Sequence, residues 1–331
     1  MQSFANMIGQ ASIKEHLKKS LQTGKISHAY IFYGEKGSGK KSLADLFART
    51  LQCEAKGEDP CNQCTSCRQA ASHNHPDIMY LQHEKPQIIS VDEIRRQINQ
   101  DIAIKPYSSE RKIYIVDEAE KMNVQAQNAL LKTLEEPPGY AVILLLTTNL
   151  EALLPTIRSR CVTLTMKPVS EQELQRYLMR RAQIPDYKAG VCAAFARGNV
   201  GRGLELAVST EFEELKDSTL QLLLHIEEMT LSDLTAEAKK RAEKNSDREG
   251  FLELLEMWYR DVLLYKATGT GRGLIFGEEA SRIKKMALRS TFEGLNRMLE
   301  TITETRTRLA ANVNPELTME WLLLVAQETT A

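Results

Sequence analysis

A glycine-rich stretch at residues 34–41, GEKGSGKK, constrains the fold of this chain more than any other feature of its sequence. The apolar run before it, residues 28–34, has the composition of a strand, and residues 41–51 have the spacing of a helix. Backbone N–H groups at a helix N-terminus attract anions, and glycines let the backbone turn and approach a phosphate group closely. The stretch therefore predicts a phosphate-binding loop. Its four candidate phosphate-binding residues are Gly34, Gly37, Gly39 and Lys40.

Short β-rich runs alternate with helical stretches through the first half of the chain. The apolar runs at residues 113–117 and 141–146 fit strands at the centre of a sheet. Strands that alternate with helices predict a parallel α/β sheet covered on both faces. After about Pro168 the β signal fades, and the chain becomes rich in Leu and Glu at helical spacing. We expect an α/β domain, a small helical domain and a larger helical domain, at residues 1–166, 167–209 and 210–331.

Charge and hydropathy exclude several classes of protein. The 331 residues include 43 Lys and Arg against 44 Asp and Glu, a net charge of −1, which argues against a histone-like DNA coat and against an acidic disordered tail. No apolar run approaches the roughly 18 residues that span a bilayer, and the N-terminus lacks the basic and apolar regions of a secretory signal. We expect a soluble cytoplasmic protein with no membrane partner.

Two acidic residues, Asp117 and Glu118, end the apolar strand at residues 112–118. Beside a phosphate loop, the first carboxylate would hold Mg²⁺ through water and the second would orient an attacking water. The loop departs from the ATPase pattern because Lys41 stands where a Ser or Thr hydroxyl should bind Mg²⁺. Ser42 is one residue further on and projects about 100° around the helix. The sequence thus indicates a nucleotide-binding fold whose site for ATP and Mg²⁺ is altered.

Four of the six cysteines lie within residues 53–67, directly after the first helix of the predicted sheet domain. In a chain without an export signal, such crowding favours metal binding over disulfides. Gaps of two residues let neighbouring thiolates converge on one ion, and four soft ligands complete the tetrahedral shell of Zn²⁺. Since no coordination position stays open, the zinc would be structural. The predicted ligands are Cys53, Cys61, Cys64 and Cys67.

Two arginines, Arg158 and Arg160, precede the last predicted strand of the α/β domain. A planar guanidinium suits the charge that develops on phosphoryl oxygens in a transition state. At this edge of the domain, such a side chain would reach the γ-phosphate of a neighbouring subunit. The alternative is an ordinary surface arginine.

A series of motifs runs along essentially the whole chain: SHAYIF, GEKGSGK, the four cysteines, HNHPD, IYIVDEAEKM, NALLKTLEEPP, LLTTN, LLPTIRSRC and NPELTMEWLLL. Their order resembles that of bacterial clamp-loader AAA+ subunits of DNA polymerase III. The stretch HNHPD, together with the altered phosphate loop, is similar to the delta-prime branch of that family. The gamma/tau ATPase subunits are the competing match.

The resemblance implies a RecA-like P-loop domain with a zinc module, a helical lid and an all-α collar that joins five subunits in a ring. It implies that Arg160, in the motif SRC, acts in trans on ATP held by an adjacent gamma/tau subunit. Within LLTTN, Thr148 or Asn149 would form the sensor-1 position. Gly201 stands where an ATPase relative places its sensor-2 arginine, and the adjacent Arg202 would face elsewhere.

Two functions are compatible with this resemblance. In the first, the chain is a delta-prime-like subunit of the DNA polymerase holoenzyme that hydrolyses no ATP itself, lends Arg160 and works with gamma/tau and delta subunits in a hetero-pentamer. Through that complex it would meet the sliding clamp and primer–template DNA. In the second, it is a competent gamma/tau-like ATPase in which Ser42 replaces the missing hydroxyl. A zinc-dependent DNA-binding module is disfavoured because charge is balanced and basic residues are not interleaved with aromatics.

Overall fold

The computed structural model describes residues 3–243 and 245–330, which fall into two compact units. The first unit runs to Glu173 and also contains Asn199–Gly201, and the second contains the remaining residues. The division into three domains, with boundaries after residues 166 and 209, stays a prediction.

The first unit is built on a five-stranded parallel sheet, as the alternation of strands and helices predicted. The strand order is β2-β3-β4-β1-β5. The strands β3 and β4 are buried along their whole length, which explains why their sequences are continuous apolar runs. The strands are β1 Ala29–Tyr33, β2 Ile78–Tyr80, β3 Lys112–Val116, β4 Ala141–Thr147 and β5 Val162–Thr165.

Helices cover both faces of this sheet. Successive strand residues point to opposite faces, so Tyr30 and Phe32 join one core while Ala29 and Ile31 join the other. Helices α1, α2 and α3 contribute to the first core, and α4, α5 and α6 contribute to the second. These helices are α1 Ala11–Thr23, α2 Lys40–Leu51, α3 Thr65–Ala71, α4 Val91–Ile94, α5 Val124–Glu135 and α6 Pro155–Arg158.

The described part of the chain after the sheet is helical, and most of it forms the second unit. Trp258 and Tyr259 are almost completely buried in its core, and the ring of Trp258 lies 5.8 Å from that of Phe276. No helix among the described residues is both long and apolar enough to cross a membrane. The helices are α7 Glu171–Arg181, α8 Asp186–Ala196, α9 Val200–Val208, α10 Thr210–His225, α11 Leu231–Glu243, α12 Asn245–Thr268, α13 Ala280–Arg289, α14 Phe292–Ala310 and α15 Pro315–Thr330.

Candidate functional site

The phosphate loop connects β1 to the start of α2 at the carboxyl end of the sheet. Gly37 and Gly39 have φ angles of 84° and 92°, in the left-handed region that side chains disfavour. Gly34 is constrained differently, because a Cβ there would lie 2.8 Å from the Cβ of Met166. The loop therefore requires glycine at all three positions, two for conformation and one for space.

The ammonium of Lys40 is bound by the loop itself. Its Nζ donates hydrogen bonds to the backbone oxygens of Gly34 and Glu35, at 2.7 and 2.8 Å, and the residue is buried. Burial lowers the pKa of Lys40, and the nearby carboxylates of Glu120 and Asp117 oppose that change. The cation that the sequence assigns to a phosphate is thus held by two carbonyl groups of the same loop.

Lys41 occupies the place of the missing hydroxyl with a second positive charge. Its Nζ lies 3.5 Å from the Oδ2 of Asp117, the carboxylate that would hold Mg²⁺. Ser42, the proposed substitute for the hydroxyl, is exposed on α2. An ammonium beside Asp117 opposes a divalent cation there by like-charge repulsion, so the donor set does not fit a catalytic Mg²⁺.

Glu118 forms ion pairs at the carboxyl end of β3. Its backbone has a φ of 53°, and its Oε2 lies 2.6 Å from the Nζ of Lys121 and 3.8 Å from the Nε2 of His83. Two basic side chains therefore surround the carboxylate that would orient an attacking water.

Glu120 is an acidic residue that the sequence reasoning missed. Its Oε1 accepts hydrogen bonds from the backbone N–H and the hydroxyl of Thr148, so it ties the end of β3 to the end of β4. Burial would raise the pKa of Glu120, but the bonds from Thr148 lower it below the usual range. Asn149, a candidate for the sensor-1 position, caps a short helical turn, because its Oδ1 accepts the N–H of Glu151 at 3.1 Å. The sequence signal that could have identified Glu120 is its position three residues after Asp117, just beyond the end of a strand.

Arg202, next to the sensor-2 position, is bound within the second unit. Its Nη2 lies 2.8 Å from the Oε2 of Glu253, which is buried, and its guanidinium stacks 4.9 Å above the ring of Phe195. These contacts engage its charge with a carboxylate and an aromatic face.

Arg160 follows the short helix α6 and is partly exposed, with 36% of its side-chain surface accessible. Its Nη2 lies 2.8 Å from the Oε1 of Glu135, and its Nη1 donates to the carbonyl of Thr156 at 3.0 Å. The neighbouring Arg158 has a separate partner, Glu151, at 2.6 Å. The two arginines of this edge therefore differ in their acidic partners.

The four crowded cysteines come together as their spacing predicted. Their Sγ atoms all lie within 4.8 Å of one another, and none of them forms a disulfide. Bonds of about 2.3 Å from sulfur to a tetrahedral Zn²⁺ require sulfur atoms about 3.8 Å apart, and the Sγ atoms of Cys61 and Cys67 lie 4.0 Å apart. The cluster therefore fits one zinc ion with four thiolate ligands and no open position. The remaining cysteines lie elsewhere, Cys192 buried and Cys161 half-buried.

Backbone N–H groups also point at these sulfur atoms. The N–H of Cys61 donates to the Sγ of Cys53, that of Cys64 to Cys61 and that of Cys67 to Cys64, at 3.3 to 3.4 Å. Hydrogen bonds from backbone N–H groups lower the pKa of Cys61 to about 6. Because the thiolate is the form that binds metal, these bonds favour the ligand state of Cys61, whereas burial raises the pKa of Cys67.

The motif HNHPD fastens the cysteine module to the sheet. The Nδ1 of His75 accepts the N–H of Asp77 at 3.0 Å, so the proton of the neutral ring lies on Nε2, which donates to the hydroxyl of Ser66 at 2.8 Å. Ser66 in turn donates to the carbonyl of Gln52. Burial lowers the pKa of His75 and favours this neutral form.

Asp77 holds a second segment, the loop before β3. Its carboxylate accepts the backbone N–H groups of Tyr107, Ser108 and Ser109, the last two at 2.8 and 2.9 Å. Although burial would raise the pKa of Asp77, the bonds from Tyr107 and Ser108 lower it below its usual range. The buried carboxylate thus acts as an anchor for a loop that is distant in sequence.

Comparison with protein-family models gives two matches. Residues 9–170 match a model described as "DNA polymerase III, delta subunit", and residues 215–328 match one described as "DNA polymerase III, delta subunit, C terminal". The two matches together cover the strands of the sheet and most of the later helices.

Individual relatives carry related names. The chain is 31% identical over 323 residues to DNA polymerase III subunit delta' of Bacillus subtilis, covering 96% of each sequence. It is 28% identical over 326 residues to subunit tau of the same organism, covering 89% of this chain and only 57% of that relative. A gamma subunit-related protein of Thermotoga maritima has 21% identity and a TM-score of 0.45, with 98% of this chain and 100% of that one covered.

Proposed function

Because the chain belongs to the delta-prime subunit family of bacterial DNA polymerase III, within the clamp-loader AAA+ proteins, we propose that it supports ATP-dependent loading of the sliding clamp onto primed DNA. In this proposal it works as a cytoplasmic subunit that hydrolyses no ATP itself and lends Arg160 to the nucleotide site of a neighbour. It would have no catalytic activity of its own and would be part of the DNA polymerase holoenzyme.

The state of its own nucleotide site supports a non-hydrolysing role. The observation that carries this part of the proposal is the buried ammonium of Lys40, which is bonded to the carbonyls of Gly34 and Glu35. The ion pair between Lys41 and Asp117 adds a second ammonium beside the carboxylate that Mg²⁺ would need. Hydrolysis of a nucleoside triphosphate depends on Mg²⁺ bridging the β- and γ-phosphates. The involvement of Glu118 with Lys121 and His83 points the same way.

The position of Arg160 supports its role as a finger in trans. Its guanidinium is partly exposed, and its ion-pair partner Glu135 is half exposed, so exchanging that carboxylate for a phosphate costs little. A planar guanidinium offers two parallel N–H donors to phosphoryl oxygens. In the assembled loader, Arg160 would leave Glu135 and contact ATP held by an adjacent gamma/tau subunit.

The remaining parts of the proposal concern assembly. The chain would join gamma/tau and delta subunits in a hetero-pentamer, with the helices at residues 210–331 as its oligomerisation collar and residues 167–209 as its lid. The sliding clamp and primer–template DNA would be met through that complex. One structural Zn²⁺ would be held by the cysteines already described, which supply four soft ligands at zinc-like separations.

The decisive experiment compares the isolated chain with the assembled loader. We expect the purified chain to release no phosphate from ATP above background, and Arg160→Ala to lower the ATPase of the loader. Loss of an arginine finger lowers kcat at the affected ATP site by about 10³-fold or more. The total ATPase rate of the loader should therefore fall by the fraction that this one site contributes. Arg158→Ala is the matched control, because Arg158 pairs with Glu151 in the same way and should leave turnover unchanged.

Two results would overturn the proposal. Normal turnover of a loader that contains Arg160→Ala would remove the finger. Robust ATP hydrolysis by the isolated chain, abolished by Lys40→Ala, would favour instead a competent gamma/tau-like ATPase.

A further inference from the structure

Three residues of the motif GNVGRGL, Asn199–Gly201, belong to the first unit and lie against the phosphate loop. The side-chain amide of Asn199 donates from Nδ2 to the carbonyl of Lys36 at 2.7 Å, across 163 positions of sequence. The backbone N–H of Gly201 donates to the carbonyl of Gly37 at 2.8 Å. Two hydrogen bonds therefore attach this segment to adjacent residues at the tip of the loop.

The contact between Gly201 and Gly37 exists only because neither residue has a side chain. A Cβ at position 201 would lie 2.7 Å from the Cα of Gly37 and 2.9 Å from its carbonyl oxygen. In the other direction, a Cβ at position 37 would lie 2.5 Å from the Oδ1 of Asn199. The two backbones thus touch with no space between them for another group.

We infer that Asn199–Gly201 is a seal on the phosphate loop: while it is in place, the loop binds its own chain and takes up no nucleoside triphosphate. The inference rests on the proposed function, in which the chain hydrolyses no ATP. It adds that an arginine at position 201, the residue of the ATPase pattern, cannot enter this geometry, since even a methyl group collides. The absence of an arginine at position 201 is therefore what allows the segment to pack against the loop.

The charged groups of the loop agree with the seal. A bound triphosphate needs a free ammonium at Lys40 and a carboxylate at Asp117 that can hold Mg²⁺. The first donates to the carbonyls of Gly34 and Glu35, and the second faces Lys41. The loop is therefore contacted by Asn199 and Gly201, and its charged groups are paired with other groups of the same unit.

Hydrogen exchange of the full chain tests the seal through the N–H of residue 201. In Gly201→Ala the added methyl must separate the segment from Gly37, so exchange at residue 201 and at residues 35–39 should become about tenfold faster or more. The matched control is Gly203→Ala in the same helix, where a Cβ meets Leu174 and Ala196 at ordinary distances of 3.4 and 3.5 Å. Both changes replace a glycine in the first turn of α9 by alanine, and the control should keep the wild-type pattern.

Nucleotide binding is the second measurement, with a fluorescent ATP analogue as the probe. We expect no saturable binding by the wild type, and at least about a tenfold gain in Gly201→Ala, because apparent affinity rises with the fraction of open loops. Asn199→Ala removes the bond to Lys36 without adding bulk. It should shift both measurements in the same direction by less, and it keeps the test valid should Gly201→Ala fold poorly.

The outcomes separate the seal from the proposed function. The seal would be overturned if Gly201→Ala and its control Gly203→Ala had equal exchange rates. It would also be overturned if neither Gly201→Ala nor Asn199→Ala changed the exchange rates of the wild type. Tight binding of the analogue by the wild type without hydrolysis would also overturn it, yet leave the non-hydrolysing subunit standing. ATP turnover by the wild type would instead remove the proposed function.

Discussion

The sequence predicts a binding site both at the phosphate loop and at the four-cysteine cluster. The two sites differ in whether their binding atoms are already bonded within the chain. In the loop, the Nζ of Lys40 is bonded to carbonyls of the loop and Lys41 is paired with Asp117. In the cluster, four Sγ atoms converge without a disulfide and receive backbone N–H groups. A motif indicates the class of ligand, but only its surroundings decide whether the binding atoms are available.

The largest expected effect concerns the four-cysteine cluster, whose sulfur atoms are available to a metal ion. We expect the purified chain to contain about one zinc, and Cys67→Ser to reduce zinc affinity by about tenfold or more, because the tetrahedral shell loses a thiolate. Metal binding contributes directly to the folding free energy of such a module, so the Tm should fall by about 10 °C. Zinc content after dialysis against a chelator and thermal unfolding measure the two effects.

The control for this experiment is Cys161→Ser, which changes a half-buried cysteine outside the cluster. That variant should keep one zinc per chain whatever its own effect on stability. If Cys67→Ser also kept a full complement of zinc, the four-thiolate site would be wrong.

An intermediate effect concerns the loop before β3, which the carboxylate of Asp77 anchors. The pKa of Asp77 lies below the value of about 3.9 in an unfolded chain, so its contribution to stability is present above that value and is lost as pH falls through the folded pKa. At pH 7, Asp77→Asn should lower the free energy of unfolding by about 1.5–3 kcal/mol, since its bonds to buried N–H groups are charge-assisted. Below about pH 4 the difference should shrink.

Urea unfolding at neutral and acid pH measures this difference. Asp92→Asn is a suitable control, because the carboxylate of Asp92 is 87% exposed and lies 3.9 Å from its partner, Arg95. An Asp77→Asn variant that is equally destabilised at both pH values would show that the side-chain charge does not provide the anchor.

Local features of both sites could be predicted because they depend on short spacings. The turn at Gly37 and Gly39 follows from the place of glycines between a strand and a helix, and the convergence of cysteines from gaps of two residues. Continuous apolar runs predicted the buried strands β3 and β4 for the same reason, since a strand buried on both faces has mostly apolar residues.

The contacts that decide the state of each site join distant parts of the chain, and no local pattern encodes them. Glu120 meets Thr148 across 28 positions, and Asn199 meets Lys36 across 163. Such pairs are set by the order of strands in the sheet and by where later segments pack. The sequence therefore showed that position 201 has no arginine, but it did not predict that Gly201 contacts the phosphate loop.

The smallest expected effect concerns the phosphate loop, whose charged groups are bonded within the chain. Lys41→Thr restores the hydroxyl of the ATPase pattern, yet we expect no ATP turnover, because Lys40 stays bonded to the loop and Asn199–Gly201 stays against it. The free energy of unfolding should change by less than about 0.5 kcal/mol, since Lys41 and Asp117 are both well exposed. Phosphate release and urea unfolding are the measurements, with Lys41→Ala as the control that removes the ion pair without adding a hydroxyl. Magnesium-dependent turnover in the Thr variant alone would mean that a single hydroxyl separates this loop from a working ATPase, and that its internal contacts open without cost.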